Sequence, residues 1–422
     1  MSLEAVLEFF IGGLFDAVGA AILTASIYLP IFAGIIAWRT FVRFRQDKFL
    51  ADPKNGNVLL EIKLPPEITK TPRAMEYALN VFHQSSPTDW YAHYFEGKLR
   101  ASASLEIISD GGKIRFFINC RKGVKNLVES SMYAQYPLIQ LEEVDDYTKS
   151  VPFGSKGSDW EIWATEYKFT KKGDNVDAYP IRTYVDIGMD KEGTKEEFKT
   201  DPLTGLLEFM SALGPGEKFW FQVVITAAGG YSVPWYVKKN PDFAAQAKSL
   251  IEDLSKRKLY KNLGPEDRKL ISLAEGTATP GERALLESVE RNLSKISFYT
   301  GMRSIYMGKG DKFNGSRIAG VIGFLRPFSA GDYYNGFKIT QYTGTDFPWQ
   351  DPFGIKVAKK KRELFAAFVK RAFFYPPFDR HPMILTAEEI ATMYHLPGQV
   401  ASTPTLNRIE SKRSEAPGNL PV

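Results

Sequence analysis

The chain has 422 residues, 44% hydrophobic and 24% charged, a balance that supports globular cores and excludes a wholly disordered or collagen-like polymer. Its 54 basic and 49 acidic residues leave a net charge of +5, which excludes a chain-wide electrostatic footprint for nucleic acid, so any such surface has to be local. A single cysteine, Cys120, rules out an intrachain disulfide, and four histidines (His83, His93, His381, His395) make a poor inventory for a zinc site.

The first element is apolar. From Ala17 to Trp38 there is no charged residue. As a helix this run is about 33 Å long, enough for a hydrocarbon core of roughly 30 Å. Pro30 is tolerated in such helices, and Trp38 stands where aromatic anchors favour the interface. No Lys or Arg precedes residue 39, whereas a cleavable signal peptide carries a basic n-region. Trp38, Arg39, Arg43, Arg45 and Lys48 form the membrane flank. The positive-inside rule then predicts a single-pass protein of the cytoplasmic (inner) membrane, N-terminus outside and residues 39–422 in the cytoplasm, with the lipid bilayer as first partner.

Beyond a linker, Val58–Leu64 alternates as a strand, Pro72 opens a helix through Gln84, and Ser102–Ser109 and Lys113–Cys120 form a hairpin about Asp110-Gly111-Gly112. A helix over Gly123–Tyr136 and a strand over Leu138–Val144 complete β-α-β-β-α-β, the ferredoxin-like order. Trp160–Phe169 and Tyr179–Met189 suggest paired strands, Thr200–Leu213 a helix and Lys218–Ala227 a buried strand. Residues 242–295 are polar and helical, broken into three helices by Gly264-Pro265 and Pro280-Gly281. Then follow a strand over Ile296–Met307, a helix over Lys312–Phe328, a strand over Gly336–Tyr342, a helix over Lys356–Phe374 and a strand over Pro382–Leu385. The expected class is α+β: a transmembrane helix, then a duplicated ferredoxin-like cytoplasmic region with a helical insertion. The expected divisions are an anchor with basic flank (1–50), a first ferredoxin-like domain (57–150), a β-rich middle region with a helix (151–240), a helical arm (241–295), a second, degenerate α+β domain (296–399) and an extended tail (400–422).

Motifs that carry chemistry are missing from the string. A phosphate-binding loop needs Gly-x-x-x-x-Gly-Lys-[Ser/Thr], which neither Gly214–Lys218 nor Gly308–Lys312 supplies. Gly-x-Ser-x-Gly, His-Glu-x-x-His and Cys-x-x-Cys do not occur. Asp145-Asp146 suits an acidic turn, and His381 and His395 have no ligand-like neighbours. The expectation is therefore a non-enzyme with no cofactor and no metal. One electrostatic feature stands out: Lys356, Lys359, Lys360, Lys361, Arg362, Lys370 and Arg371 decorate a helix whose apolar stripe is Leu364, Phe365, Phe368 and Phe374. Such a helix is either the solvated face of a core helix or a surface for membrane or nucleic acid.

The segment Met383–Gly398, which contains Leu385-Thr386-Ala387-Glu388-Glu389-Ile390-Ala391-Thr392-Met393-Tyr394-His395-Leu396-Pro397, resembles the stretch that closes the membrane-proximal region of bacterial HerA-like ATPases, relatives of type IV secretion and conjugative coupling proteins. In that family a Pro-rich linker ending in Asn-Leu-Pro leads on to the motor; here Asn419-Leu420-Pro421 precedes Val422. Glu129–Pro137, Asp145-Asp146-Tyr147 and Ser104–Ile107 resemble the same region more loosely. Without a Walker motif, the resemblance implies a separately encoded membrane-proximal half, and a P-loop ATPase as a partner docking near 383–422. Thr386 and Glu389 form a capping box for a helix over Ala387–Leu396. Leu385, Glu388, Glu389, Ile390, Met393, Tyr394, His395, Leu396 and Pro397 are the candidate partner-contact residues. The leading expectation is a membrane scaffold that tethers such an ATPase during DNA or protein translocation, as a monomer or homo-oligomer. The alternatives are a nucleic-acid- or membrane-surface-binding module using the 356–371 helix, and a membrane-tethered enzyme without a recognisable motif.

Overall fold

A computed structural model describes residues 3–52, 55–84, 90–154, 157–190, 200–229, 243–260, 279–329, 331–345, 347–375, 378, 380–398 and 406. Its helices are α1 (Leu3–Ala51), α2 (Pro72–Leu79), α3 (Trp90–Tyr94), α4 (Lys125–Gln135), α5 (Thr204–Ser211), α6 (Phe243–Tyr260), α7 (Pro280–Leu293), α8 (Ile318–Gly323), α9 (Ile355–Val369) and α10 (Ala387–Met393). Its strands are β1 (Asn57–Lys63), β2 (Ala103–Asp110), β3 (Lys113–Arg121), β4 (Gln140–Val144), β5 (Trp160–Phe169), β6 (Glu217–Ala227), β7 (Ser297–Lys309), β8 (Phe337–Thr340) and β9 (Met383–Thr386). Two units emerge: Met1–Pro53 with Thr88–Leu99, and Lys54–Pro87 with Arg100–Val422.

In the first unit, α1 runs unbroken through Pro30 for 49 residues. Leu23–Ala51 contains the apolar stretch long enough to cross a membrane, with a mean hydropathy of 1.5. Its large side chains are exposed around the helix, from Leu23, Tyr28 and Phe32 to Ile36 and Phe44. A helix apolar all round has no single face to bury against a protein core.

The second unit is built on a single antiparallel sheet, ordered β4-β1-β3-β2-β6-β7-β5-β8, with β9 on β7. The 13-residue β7 is its spine. One edge pairs with β6, while the other is shared by β5, against Met302–Lys309, and β9, against Ser297–Thr300. Helices α2, α4, α5, α8 and α10 pack a large apolar core onto one face. Leu364 and Phe368 of α9 cover Ile108, Trp220 and Ile305 on the other. With both faces covered, all eleven residues of β6 are buried, in keeping with the apolar residues on either side of Gln222. The β2–β3 hairpin turns on Gly111 (φ 55°) and Gly112 (φ 88°), a conformation that suits glycine. A Cβ on Gly112 would also lie 2.9 Å from the Ser211 carbonyl oxygen.

Several sequence expectations change. Tyr179–Met189 is not a strand, and β5 pairs with β7 and β8 instead. Side chains take the amides of that segment: Ile181 N–H donates to Glu389 Oε1 (3.0 Å), Thr183 N–H to Asp186 Oδ2 (2.9 Å) and Tyr184 N–H to Thr392 Oγ1 (3.1 Å). The helix expected over Lys312–Phe328 shrinks to α8 with 3₁₀ turns on either side, in a stretch punctuated by Gly315, Gly320, Gly323 and Pro327. Regions 57–150, 151–240 and 296–399 all contribute to the one sheet, since β2 pairs with β6 and β6 with β7. In the helical arm, α6 and α7 enclose a small core of Ala178, Ala247, Leu250, Leu285 and Val289. The middle helix expected there falls within 261–278, outside the described residues. So does the tail, except for Leu406, which is buried and bridges to Ile114.

Candidate functional site

Three regions take up the residues that the sequence singles out. The first is the membrane flank. Trp38 stacks with Phe41 (ring centroids 5.9 Å apart) and meets Tyr94 (6.1 Å) and Phe95 (5.6 Å) from the α3 segment. Tyr91 stacks on Phe95 at 5.2 Å. Arg45 is half-buried and its Nε donates to the Phe95 carbonyl (2.6 Å), while Arg39, Arg43 and Lys48 are exposed. Gly97, at φ 73°, lets the segment close on α1: a Cβ there would lie 2.4 Å from the Arg45 carbonyl carbon. The result is an aromatic collar with basic residues beside it, at the end of the apolar stretch. Trp38 alone signals it in sequence, because α3 arrives from 50 residues downstream.

The second region is the expected partner-contact segment, and it faces inward. Leu385, Glu388, Glu389, Ile390, Met393, Tyr394, His395 and Leu396 are each at most 2% exposed, and Pro397 is buried. The capping box forms as expected: Thr386 Oγ1 accepts from Glu389 N–H, and Glu389 Oε2 accepts from Thr386 N–H at 2.8 Å. Burial raises the Glu389 carboxyl to about 7. Glu388 accepts from Arg291 Nε (3.0 Å) and Thr183 Oγ1 (2.6 Å), and Arg291 also reaches Asp186 (2.7 Å). Tyr394 donates to the Phe117 carbonyl at 2.9 Å. His395 Nε2 lies 3.1 Å from Asp201 Oδ2, and its Nδ1 lies 2.9 Å from the Ala391 carbonyl. Burial opposes the imidazolium, yet Asp201 raises its pKa above the ordinary value. These bonds fasten α10 to its own core, so the segment offers no docking surface. Ile390, Met393 and Tyr394, at i, i+3 and i+4, mark a face to be buried, but their spacing does not say which molecule buries it.

The third region is α9, whose two ends differ. Near its start, Lys356, Lys359 and Arg362 are exposed, and Lys360 and Lys361 are half-buried. Lys361 pairs with Glu161, Lys359 lies 3.9 Å from Glu363, and Lys360 sits 5.9 Å over the Tyr342 ring. Ahead of these residues the sequence reading missed four exposed apolar side chains, Phe347, Trp349, Phe353 and Ile355. Pro348, Pro352 and Gly354 mark that stretch as a loop, and aromatic residues in such a loop were the available signal.

At the other end Arg371 leaves the expected basic patch. The helix stops at Val369, Lys370 is exposed, and Arg371 turns inward at φ 50°. Its Nε donates to Glu106 Oε1 (3.0 Å) and its Nη1 to Asp146 Oδ2 (2.5 Å). Burial opposes its charge, but Glu106 and Asp146 hold its pKa above the ordinary value. Glu106 also accepts from Ser104 (2.6 Å), Tyr147 (2.7 Å) and Gln222 (2.9 Å). Strand register explains this cluster. Glu106 pairs across with Gln222, Gln222 with Arg303, and Arg303 with Glu166, so one polar row crosses four strands beneath α9. Arg303 donates to the Ala372 carbonyl (2.7 Å), and burial lowers its pKa to about 10. Among the described residues no group of three or more His, Cys, Asp or Glu side chains could hold a metal ion.

The sequence profile of a family described only as a domain of unknown function, DUF8128, matches residues 43–408, most of the chain, and the protein belongs to that family. No curated protein matches the chain.

Proposed function

We propose, starting from that family membership, that the protein is a non-catalytic, single-pass membrane scaffold. Its α1 would cross the cytoplasmic membrane, and the α+β body would stand on the cytoplasmic side with Arg39, Arg43 and Lys48. The observation that carries this reading is the collar: Trp38, Phe41, Tyr94 and Phe95 meet at the end of an apolar stretch of α1 whose large side chains, from Leu23 to Ile36, are exposed. The full chain should stay with membranes through alkaline carbonate extraction. Release into the supernatant would defeat the proposal.

The partner implied by the sequence resemblance is a separately encoded HerA-like P-loop ATPase, acting in DNA or protein translocation. Burial of Leu385–Pro397 removes that segment as its dock, which leaves the exposed surface and the residues beyond 398. The purified full chain and such an ATPase should form a complex by light scattering, and a chain truncated after Glu410, which keeps Leu406, tests the tail. No complex between the full chain and the ATPase would remove the partner.

We further infer that the body is a duplicated ferredoxin-like fold. In its support, β1-α2-β2-β3-α4-β4 gives the order β4-β1-β3-β2, and β5-α5-β6-β7-α8-β8 gives β8-β5-β7-β6, the same order again. The two sets join through β2 and β6. The helical arm α6–α7 is then an insertion between β6 and β7.

A further inference from the structure

We propose that the loop carrying Phe347, Trp349, Phe353 and Ile355, together with the first turns of α9, is a second lipid contact that binds the surface of an anionic bilayer. This rests on the reading that the chain is held at a membrane. The loop is unusual in what it leaves uncovered: Phe353 is 85% exposed, Trp349 73%, Ile355 66% and Phe347 49%. Four large apolar side chains within nine residues are a patch, not scattered surface hydrophobes.

The loop is held in place on the helix. Asp351 Oδ2 accepts from Val357 N–H (2.8 Å), Lys356 Nζ donates to the Gln350 carbonyl (3.1 Å), and Gly354 N–H donates to the Asp351 carbonyl (3.1 Å). Gly354, at φ 68°, makes the turn into α9. The apolar residues are therefore presented on a fixed turn, and Lys356, Lys359 and Arg362 follow within two helical turns. Among the described residues, Lys356, Lys360 and Arg362 have no carboxylate within ion-pair distance. Leu364 and Phe368 hold the rest of α9 against the sheet, so the helix cannot turn over to bury this end.

Exposed Trp, Phe and Ile ahead of exposed Lys and Arg match an interfacial anchor, in which apolar side chains enter the headgroup boundary and cations meet anionic lipid. Single-stranded nucleic acid also uses aromatic and basic residues, but by stacking bases on open ring faces. Phe347 and Trp349 stack on each other, 4.6 Å apart and 10° from parallel, and Ile355 has no ring to offer. The bilayer is the better match.

Cys120 makes the test direct. It is the only cysteine, is 1% exposed, and burial pushes its thiol up to about 12, so an introduced cysteine takes a thiol dye selectively. Phe353→Cys and, in parallel, Ile355→Cys are made in the full chain and labelled with an environment-sensitive fluorophore. Each is reconstituted in nanodiscs of phosphatidylcholine with and without phosphatidylglycerol, with doxyl-labelled lipid as quencher. Tyr28→Cys reports separately on insertion of α1. The expected result is a blue shift and doxyl quenching at 353 and 355 that need phosphatidylglycerol. Neutralising Lys356, Lys359 and Arg362 to Gln should weaken the contact by about fivefold per residue. Labels at 353 and 355 that stay in water in both discs would overturn the inference, while quenching at position 28 would leave the anchor standing. Quenching at 353 and 355 without quenching at 28 would do the reverse. A change driven by a single-stranded oligonucleotide, or by protein concentration without lipid, would also overturn it, in favour of nucleic acid or a second copy of the chain.

Discussion

Two segments, 385–397 and 347–371, carry contact signals in the sequence, and the structure treats them oppositely. The first is sealed: every expected contact residue is buried, and its polar atoms bond to neighbouring elements of the same unit. The second is divided, with an exposed apolar and basic start and a buried Arg371 at its end. Hydrophobic spacing shows that a face will be covered but not by what. Charge marks a solvated face only until a buried carboxylate such as Glu106 claims the cation.

The sharpest way to break this comparison is at Arg371. Replacing it with Ala strands the Glu106 carboxylate, which is 0% exposed, and should cost about 3–5 kcal/mol, read from the denaturation midpoint. A loss near zero would return Arg371 to the surface patch. Next is Thr386→Ala, which removes the α10 capping box and should cost about 1–2 kcal/mol by the same measurement.

The sealed segment also predicts a pH dependence. The His395 pKa is raised in the folded state, so its ion pair with Asp201 contributes fully below the unfolded histidine value of about 6.5 and fades as pH rises through the folded value. The Asp201 pKa is lowered, so its share is present above about 3.9, the ordinary Asp value, and is lost as pH falls through the folded value. The stability gap between the wild type and His395→Gln should therefore be larger at pH 5.5 than at pH 8.5. Equal gaps at both values would mean that folding leaves the imidazole pKa unshifted, and a smaller gap at pH 5.5 would mean that it is buried neutral. The smallest effect belongs to the open segment: changing Lys356, Lys359 and Arg362 to Gln should shift stability by no more than about 0.5 kcal/mol per site, because their charges meet water. A large loss would make that surface structural.

Much of the architecture was legible. The apolar run from Ala17, the glycine hairpin at 111–112 and the strands on either side of it follow from local chemistry. Tyr179–Met189 was not, because an alternating apolar pattern cannot show that Glu389, Asp186 and Thr392 capture its backbone amides. Nor was the polar row: Glu106, Gln222, Arg303 and Glu166 are scattered through the sequence and align only through strand register. The collar was half-visible, as Trp38, while its other half waits at Tyr94 and Phe95.

Whether α1 spans the bilayer with its collar at the interface can be read from a depth profile. Single cysteines replacing Leu23, Tyr28, Phe32, Ile36, Phe41 and Phe44 in the full chain are labelled and quenched by lipids carrying doxyl groups at different depths. The deepest position is expected near Tyr28, with a rise to the interface by the Trp38 level and a label in water or headgroups at Phe44. A uniform shallow depth, or no quenching along the series, would contradict it.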